Sequence, residues 1–169
     1  SADSASTMWT LEADVVLEGP EGERTVPVCE FYTGPGRTVW DRCEVCKGFV
    51  IHRDSFEGWT GHYIKYGKRK AMEIATLGCA VRVKLSPDKK QIEDVRLGYG
   101  VAGPTPLRCL KAEEGLKGHD INDNDAILAF GRDALTQVNP RTSWRASKEF
   151  RLQLIEELSK RALKEAIKK

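Results

Sequence analysis

The sequence has no long apolar run and no cysteine framework. No segment approaches the roughly 18 apolar residues that a membrane-spanning helix needs. The opening Ser-Ala-Asp-Ser-Ala-Ser-Thr lacks the basic and apolar regions of a signal peptide. Five cysteines are an odd number without framework spacing, which favours reduced thiols over disulfide bridges. These absences predict a cytoplasmic protein that contacts no membrane.

Several familiar catalytic motifs are also missing. The sequence contains no GxxxxGK[ST] phosphate loop, no GxSxG nucleophile elbow and no HExxH metal helix. Its three histidines, His52, His62 and His119, are isolated from one another. Each is therefore better explained as a surface or packed side chain than as a catalytic base.

What the sequence does contain is typical of a globular protein. Hydrophobic residues make up 40% and charged residues 31% of 169 positions, with 15 glycines and 7 prolines. This composition excludes intrinsic disorder, collagen-like repeats and a disulfide-dense mini-protein. The length predicts one or two domains, with enough chain to bury a core.

The net charge of +2 hides an uneven distribution. Residues 1–60 hold 5 Lys and Arg against 11 Asp and Glu, whereas residues 61–169 hold 22 against 14. The positive charge is concentrated in residues 61–90 and 141–169. Such a basic field attracts phosphates, although solvated basic faces explain the same counts.

Hydrophobic spacing predicts strands in the first two thirds of the chain. Residues 10–17 and 24–28 flank the turn sequence Gly-Pro-Glu-Gly and indicate a β-hairpin, and residues 45–51 indicate a further strand. Residues 59–61 resemble a junction, and residues 68–76 contain helix formers with little turn chemistry. Alternating apolar residues then predict an antiparallel pair of strands near 80–85 and 95–101.

The last third has a helical pattern. A first helix is predicted after Pro106 and ends near Gly118, and a second is capped by Asp123 or Asn124. The second helix has Ile127, Leu128, Leu135 and Val138 on one side, and Asn139-Pro140 ends it. A third helix begins near Ser143, with apolar residues four apart from Phe150 to Ala162.

Two short motifs suggest metal chemistry only weakly. Cys43 and Cys46 have the spacing of half a zinc site or of a dithiol pair, but no second pair accompanies them. Residues 120–124 resemble the start of a calcium loop, yet Asp125 stands where that loop needs Gly and Gly131 where it needs Glu. A solvated loop with a helix cap explains the second motif better.

The segment Tyr-Ile-Lys-Tyr-Gly-Lys-Arg-Lys at residues 63–70 is denser in chemistry. Aromatic rings stack on planar heterocycles, and neighbouring cations hold phosphates or polarise an electron-poor ring. The segment could face a nucleotide cofactor or single-stranded nucleic acid, or it could be a solvated basic turn.

This segment opens a stretch that resembles a known family. Residues 65–81, KYGKRKAMEIATLGCAV, are similar to the start of the carboxy-terminal domain of the FAD-binding medium subunit of molybdenum hydroxylases. That family includes xanthine dehydrogenase and aerobic carbon monoxide dehydrogenase. Matches in the same order follow at RLGYGVAGPTP, at Ala-Glu and Leu-Lys-Gly within 112–118, and at SWRAS before Phe-Arg. Upstream, residues 31–38 and Glu44-Val45 resemble the end of the flavin-binding domain.

The resemblance implies a flavoprotein that accepts electrons from iron-sulfur clusters and passes them to NAD. The clusters would belong to an iron-sulfur small subunit and the molybdopterin to a large subunit. In this family an Asp contacts the flavin and a Lys lies near its ring, and Asp3 and Lys65 match those positions. Cys46 stands where the family has a bulky aliphatic residue against the ring. Tyr66 and Arg69 would be neighbours of the same FAD site.

The family resemblance also implies an α+β fold with two unequal parts. Residues 1–60 would be the second half of a FAD-binding domain, and residues 61–169 a domain of antiparallel strands with about three helices. The glycine-rich half of the FAD site is missing, so we expect the isolated chain to bind FAD weakly or not at all, and to be inactive.

Two other functions remain open from the sequence. The chain could be a non-enzymatic docking subunit that no longer binds FAD. It could also bind nucleic acid through its basic last helix, which would make its affinity steeply dependent on salt. That helix lacks interleaved aromatic residues, so nucleic-acid binding is the weakest of the three interpretations.

Overall fold

The computed structural model describes residues 3–169 and confirms an α+β fold. Its helices are α1 (Ala5–Thr10), α2 (Val28–Phe31), α3 (Leu110–Leu116), α4 (Asn124–Leu135) and α5 (Lys148–Ile167). Its strands are β1 (Asp14–Gly19), β2 (Gly22–Pro27), β3 (Tyr32–Gly34), β4 (Arg37–Thr38), β5 (Val45–Val50), β6 (Trp59–Tyr66), β7 (Leu77–Leu85), β8 (Ile92–Gly100) and β9 (Leu107–Arg108). None of the helices within this range is long and apolar enough to cross a membrane.

The first part of the chain forms a small antiparallel sheet in the order β2-β1-β5. Val15 and Leu17 alternate with more exposed residues along β1 and pack with Val28 and Phe31 in a small core. The predicted hairpin is therefore confirmed. It begins at Asp14 and not at residue 10, because residues 5–10 form α1.

A second sheet, in the order β6-β7-β8-β9, organises the rest of the chain. All its strands are antiparallel, and β7 and β8 confirm the predicted central pair. On one face, Leu77, Cys79 and Val81 belong to the main core shared with α3, α4 and α5. The opposite face lies against α1, where Gly98 lets the backbone of Ser6 come close.

Strand β6 was not predicted, because residues 59–61 resembled a junction. The strand is nevertheless paired with β7 over its whole length, from Trp59 to Tyr66. It lies at the edge of the sheet, and polar and aromatic residues are spread over both of its faces. The period of two that marks a half-buried strand is therefore weak in its sequence.

The three predicted helices of the last third are present, with shifted details. Asp123 caps α4 by accepting a hydrogen bond from the Ala126 amide, as expected. Leu128 was placed on the apolar side, but it is 40% exposed because Phe130 and Ala134 complete the buried stripe instead. Helix α4 ends at Leu135, before the Asn-Pro pair, and α5 begins after its cap Ser147, later than predicted.

Candidate functional site

The structure brings Asp3 and Lys65 into contact although 62 positions separate them. The Lys65 ammonium nitrogen lies 2.6 Å from a carboxylate oxygen of Asp3 and also donates to the backbone carbonyl of Glu73. Asp3 precedes α1, and Lys65 is near the end of β6. Both are partly exposed, so a ligand could reach the ion pair.

Strand geometry decides which neighbours share this site. Lys65 pairs with Gly78 and Tyr63 pairs with Ala80, so both belong to the sheet face that lies against α1. Tyr66 pairs with Leu77 and belongs to the other face of the sheet. There its ring contacts the ring of Phe150 in α5 edge-on, at 5.8 Å between centroids. Tyr66 and Lys65 therefore point to opposite faces of β6.

Tyr63 is a member of the site that sequence reasoning did not single out. Its hydroxyl and the Oδ1 atom of Asp3 are both buried and have no hydrogen-bond partner among residues 3–169. Burial is the main cause that raises the pKa of Tyr63 to about 12, and the carboxylate of Asp3 adds to it. The phenol is therefore protonated at neutral pH and can donate a hydrogen bond. Its position two residues before Lys65 was the sign in the sequence that the two side chains share one face of a strand.

The loop at residues 67–76 holds the basic run of residues 68–70. A hydrogen bond from the Thr76 amide to the Tyr66 carbonyl closes it at 2.8 Å. The Glu73 carboxylate accepts hydrogen bonds from the backbone amides of Lys68 and Arg69. These bonds lower the pKa of Glu73. The helix formers of this segment do not form a helix, and Met72 has a positive φ of 50° that lies outside the right-handed helical region.

Arg69 is tied to the same loop. Its guanidinium donates to the Met72 carbonyl at 2.5 Å, so the side chain helps to hold the turn. A cavity of about 580 Å³ opens beside it, between the loop and the exposed Trp144. Lys68 lies 5.7 Å from the centre of the Trp144 ring. The loop is therefore an ordered basic surface and not a freely solvated turn.

Cys46 packs into the small core of the first sheet. It is on β5 opposite Leu17, and its sulfur lies 3.8 Å from the Gly48 carbonyl oxygen. No hydrogen bond among the described residues joins Cys46 to Asp3 or Lys65. All five cysteines are free thiols. Within residues 3–169 no group of three or more His, Cys, Asp or Glu side chains is placed to hold a metal ion.

The two orphaned atoms provide a test of whether a flavin fits. The free oxygen of Asp3 needs a donor, and the Tyr63 hydroxyl needs an acceptor. A flavin carries both kinds of group, since its ring and ribityl chain have N–H and O–H donors and its ring has carbonyl acceptors. The Lys65 ammonium can also face a ring on which negative charge develops. The residues present therefore fit the group.

Comparison with known proteins identifies the family. Residues 62–166 match the CO dehydrogenase flavoprotein C-terminal domain. The chain is 38% identical over 167 residues to the xanthine dehydrogenase FAD-binding subunit of Escherichia coli O157:H7, covering 99% of this chain and 56% of that protein. It is 31% identical over 164 residues to the carbon monoxide dehydrogenase medium chain of Hydrogenophaga pseudoflava, covering 97% and 55%.

Solved structures agree with these matches. Carbon monoxide dehydrogenase from Hydrogenophaga pseudoflava superposes with a TM-score of 0.86 at 30% identity, over 97% of this chain and 55% of that one. Quinoline 2-oxidoreductase from Pseudomonas putida 86 shares the fold, with a TM-score of 0.88 at 20% identity over 99% and 56%. The chain spans about half the length of the curated relatives it matches. It belongs to the family of FAD-binding medium subunits of molybdenum hydroxylases, of which it corresponds to the C-terminal portion.

Proposed function

We propose that this chain supplies one side of the FAD site in the electron-transfer subunit of a molybdenum hydroxylase. The observation that carries the proposal is the contact between Asp3 and Lys65, beside two buried polar atoms that have no hydrogen-bond partner among residues 3–169. A buried oxygen without a donor is costly unless a ligand or water completes it. The family relationship makes FAD the ligand that best explains this arrangement.

The chain's own residues would bind and orient the cofactor. Asp3 accepts a hydrogen bond, Tyr63 donates one, and Lys65 places a positive charge that favours negative charge on the reduced ring. FAD, when bound, supplies the redox chemistry that couples one-electron carriers to a two-electron acceptor. The loop at residues 67–76 holds Lys65 in place through the Glu73 carbonyl. Cys46, Tyr66 and Arg69 remain proposed neighbours of the site.

The proposed partners follow from the family. An iron-sulfur small subunit would deliver electrons, a large subunit with molybdopterin would oxidise the substrate, and NAD would accept the electrons. We place the boundary between the FAD-binding part and the C-terminal domain near residue 60, where β6 begins the second sheet. The five free thiols are consistent with a reducing compartment such as the cytoplasm.

The test uses the assembled enzyme with Lys65→Ala and Asp3→Asn variants. We expect NADH to reduce the bound flavin at least about tenfold more slowly in Lys65→Ala, because a charge aimed at the reduced ring is lost. Lys111→Ala is the matched control, since Lys111 is an exposed lysine on α3 whose only ion pair is 3.8 Å long. Thermal melts of all variants separate a change in flavin chemistry from a change in folding.

Two outcomes would contradict the proposal. Equal flavin-reduction rates in wild type and Lys65→Ala would remove Lys65 from the site. An assembled complex without bound flavin would support the alternative, a docking subunit that has lost its cofactor. The isolated 169-residue chain serves as a further comparison, and we expect it to bind added FAD weakly.

A further inference from the structure

A second cavity lies where the end of the 67–76 loop meets the segment before α5. It has a volume of about 680 Å³. Its walls come from the turn between β3 and β4, the end of the 67–76 loop, the segment after β8 and the segment before α5. Four prolines line it, at positions 35, 104, 106 and 140. Prolines have few backbone conformations, so these walls are stiff.

The charged residues of this cavity all have the same sign. Arg141, Arg145, Lys148 and Arg151 line it, and no Asp or Glu does. Among residues 3–169, none of the four forms an ion pair with a carboxylate, although fourteen such pairs involve other lysines and arginines. The cavity therefore concentrates positive charge that no carboxylate of its own walls neutralises.

Arg151 is the most unusual of the four because it is only 1% exposed. Its guanidinium donates to the backbone carbonyls of Thr76 and Arg141 and to the Ser143 hydroxyl. All three acceptors are neutral. A guanidinium has five N–H donors, so two remain after these bonds. A buried charge without a counter-charge is destabilising, and neutral acceptors offset that cost only in part.

Structural roles account for some of these side chains but not for their grouping. Arg151 links the start of α5 to the loop, and Lys148 donates to the Asn139 side chain at 2.9 Å. The Arg145 guanidinium lies 4.3 Å from the centre of the Trp144 ring. Arg141 is exposed and makes no side-chain bond of its own among the described residues. Mutual repulsion disfavours such a cluster unless an anion joins it.

We propose that this cavity binds a diphosphate group, either free or carried by a nucleotide. Four cations match a multiply charged anion better than a single carboxylate, which would leave most of the charge uncompensated. Arginine forks also suit phosphate oxygens because they donate two parallel hydrogen bonds. The volume lies within the range of about 300 to 1,000 Å³ that is usual for small-molecule sites. This proposal stands independently of the FAD site.

Calorimetric titration of the full chain with inorganic diphosphate and with ADP tests it. We expect binding that weakens by about tenfold in Arg141→Ala and in Arg145→Ala, because each removes a charge-assisted bond to the ligand. Both residues are exposed or half-buried, so neither substitution opens the core. Arg161→Ala is the matched control on α5, since it removes the same charge outside the cavity and should leave the affinity unchanged. Amide shifts at residues 139–148 would locate the bound ligand.

The two sources of the diphosphate are distinguished by their relative affinity. ADP binding at least tenfold tighter than inorganic diphosphate indicates a nucleotide whose base or ribose contacts the apolar walls, and equal affinities indicate a free diphosphate. The proposal is overturned if neither ligand binds at millimolar concentration. It is also overturned if Arg161→Ala weakens binding as much as the cavity variants, because the effect would then come from net charge alone.

Discussion

At the scale of single residues, Glu73 shows how one carboxylate organises a functional loop. Its carboxylate accepts hydrogen bonds from the backbone amides of Lys68 and Arg69, and its backbone carbonyl accepts one from the Lys65 ammonium group. A Cβ on Gly67 would come within 2.2 Å of the Glu73 carboxylate, so a side chain there would displace that carboxylate from its present position. Glu73 thus positions Lys65, which we have proposed as a residue of the flavin site.

The lowered pKa of Glu73 predicts a loop that opens in acid. Hydrogen bonds to the backbone amides of Arg69 and Lys68 favour the charged form, so their contribution is present above the ordinary pKa of 4.5. It is lost as the pH falls through the lower value of the folded state. We expect the amide proton shifts of residues 68 and 69 to titrate with a midpoint below 4.5.

A pair of variants tests this assignment. Glu73→Gln removes the titrating group, so the acid-dependent shifts of the two amides should disappear. Glu21→Gln changes an exposed carboxylate in the turn between β1 and β2 and should leave them unchanged. A titration that persists in Glu73→Gln would show that another group controls the loop.

At the scale of elements, α1 depends on a close approach to β8. A Cβ added at Gly98 would lie 2.8 Å from the Ser6 carbonyl oxygen and 3.0 Å from the Thr10 methyl group. Helix α1 buries Ser6 and Thr10 against the sheet and carries Asp3 towards Lys65. The position of Asp3 in the proposed flavin site therefore depends on Gly98 in β8, which has no side chain to keep α1 away.

We predict that Gly98→Ala destabilises the chain by about 1 to 3 kcal/mol, as overpacking typically does. The added methyl group must push α1 off the sheet, which should also separate Asp3 from Lys65. Urea unfolding measures the first effect, and flavin affinity in the assembled enzyme measures the second. Gly48→Ala in β5 is the control, because no atom lies within 4 Å of the added Cβ. Equal stability of the two variants would contradict the close approach.

At the scale of the whole molecule, a charge network joins the two parts of the chain. Glu12 follows α1 and contacts the guanidinium groups of Arg96 and Arg108, at 2.9 Å and 2.5 Å. Arg108 also forms an ion pair with the buried Glu113. Arg96 instead donates a hydrogen bond to the Thr10 carbonyl and stacks on the face of the Trp59 ring. The acidic first part thus docks on cations of the second part.

Glu12→Gln should therefore weaken the docking of the two parts. We expect a loss of about 1 kcal/mol in urea unfolding, because the arginines are mostly buried but Glu12 is 48% exposed and screened by solvent. The loss should shrink at high salt. Glu57→Gln breaks a more exposed pair with Arg53 and should change stability by less than half as much. Similar losses in both variants would assign Glu12 to ordinary surface electrostatics.

Local patterns in the sequence were sufficient for much of the fold. The hairpin of β1 and β2, the central strands β7 and β8, and helices α3 to α5 all carry apolar residues at the spacing of their own structure. The residues of β6 do not, because its first six residues are all partly buried and no exposed face alternates with a buried one. Residues 68–76 contain helix formers but form a loop, in which Met72 has a positive φ of 50° that a right-handed helix does not allow.

The sequence alone determined the family, the α+β class and the identity of Asp3 and Lys65 as candidates. Only the tertiary structure showed that these two touch, that Tyr63 shares their face of β6, and that Cys46 packs into a separate core. The catalytic motifs that the sequence lacks are sets of residues close together in the chain. Their absence therefore excluded only sites of that local kind. The four cations from Arg141 to Arg151 lie close together in the basic stretch that the sequence already showed. Only the tertiary structure surrounds one cavity with them, because its other walls come from residues 35–36, 74–75 and 100–106, which are distant in sequence.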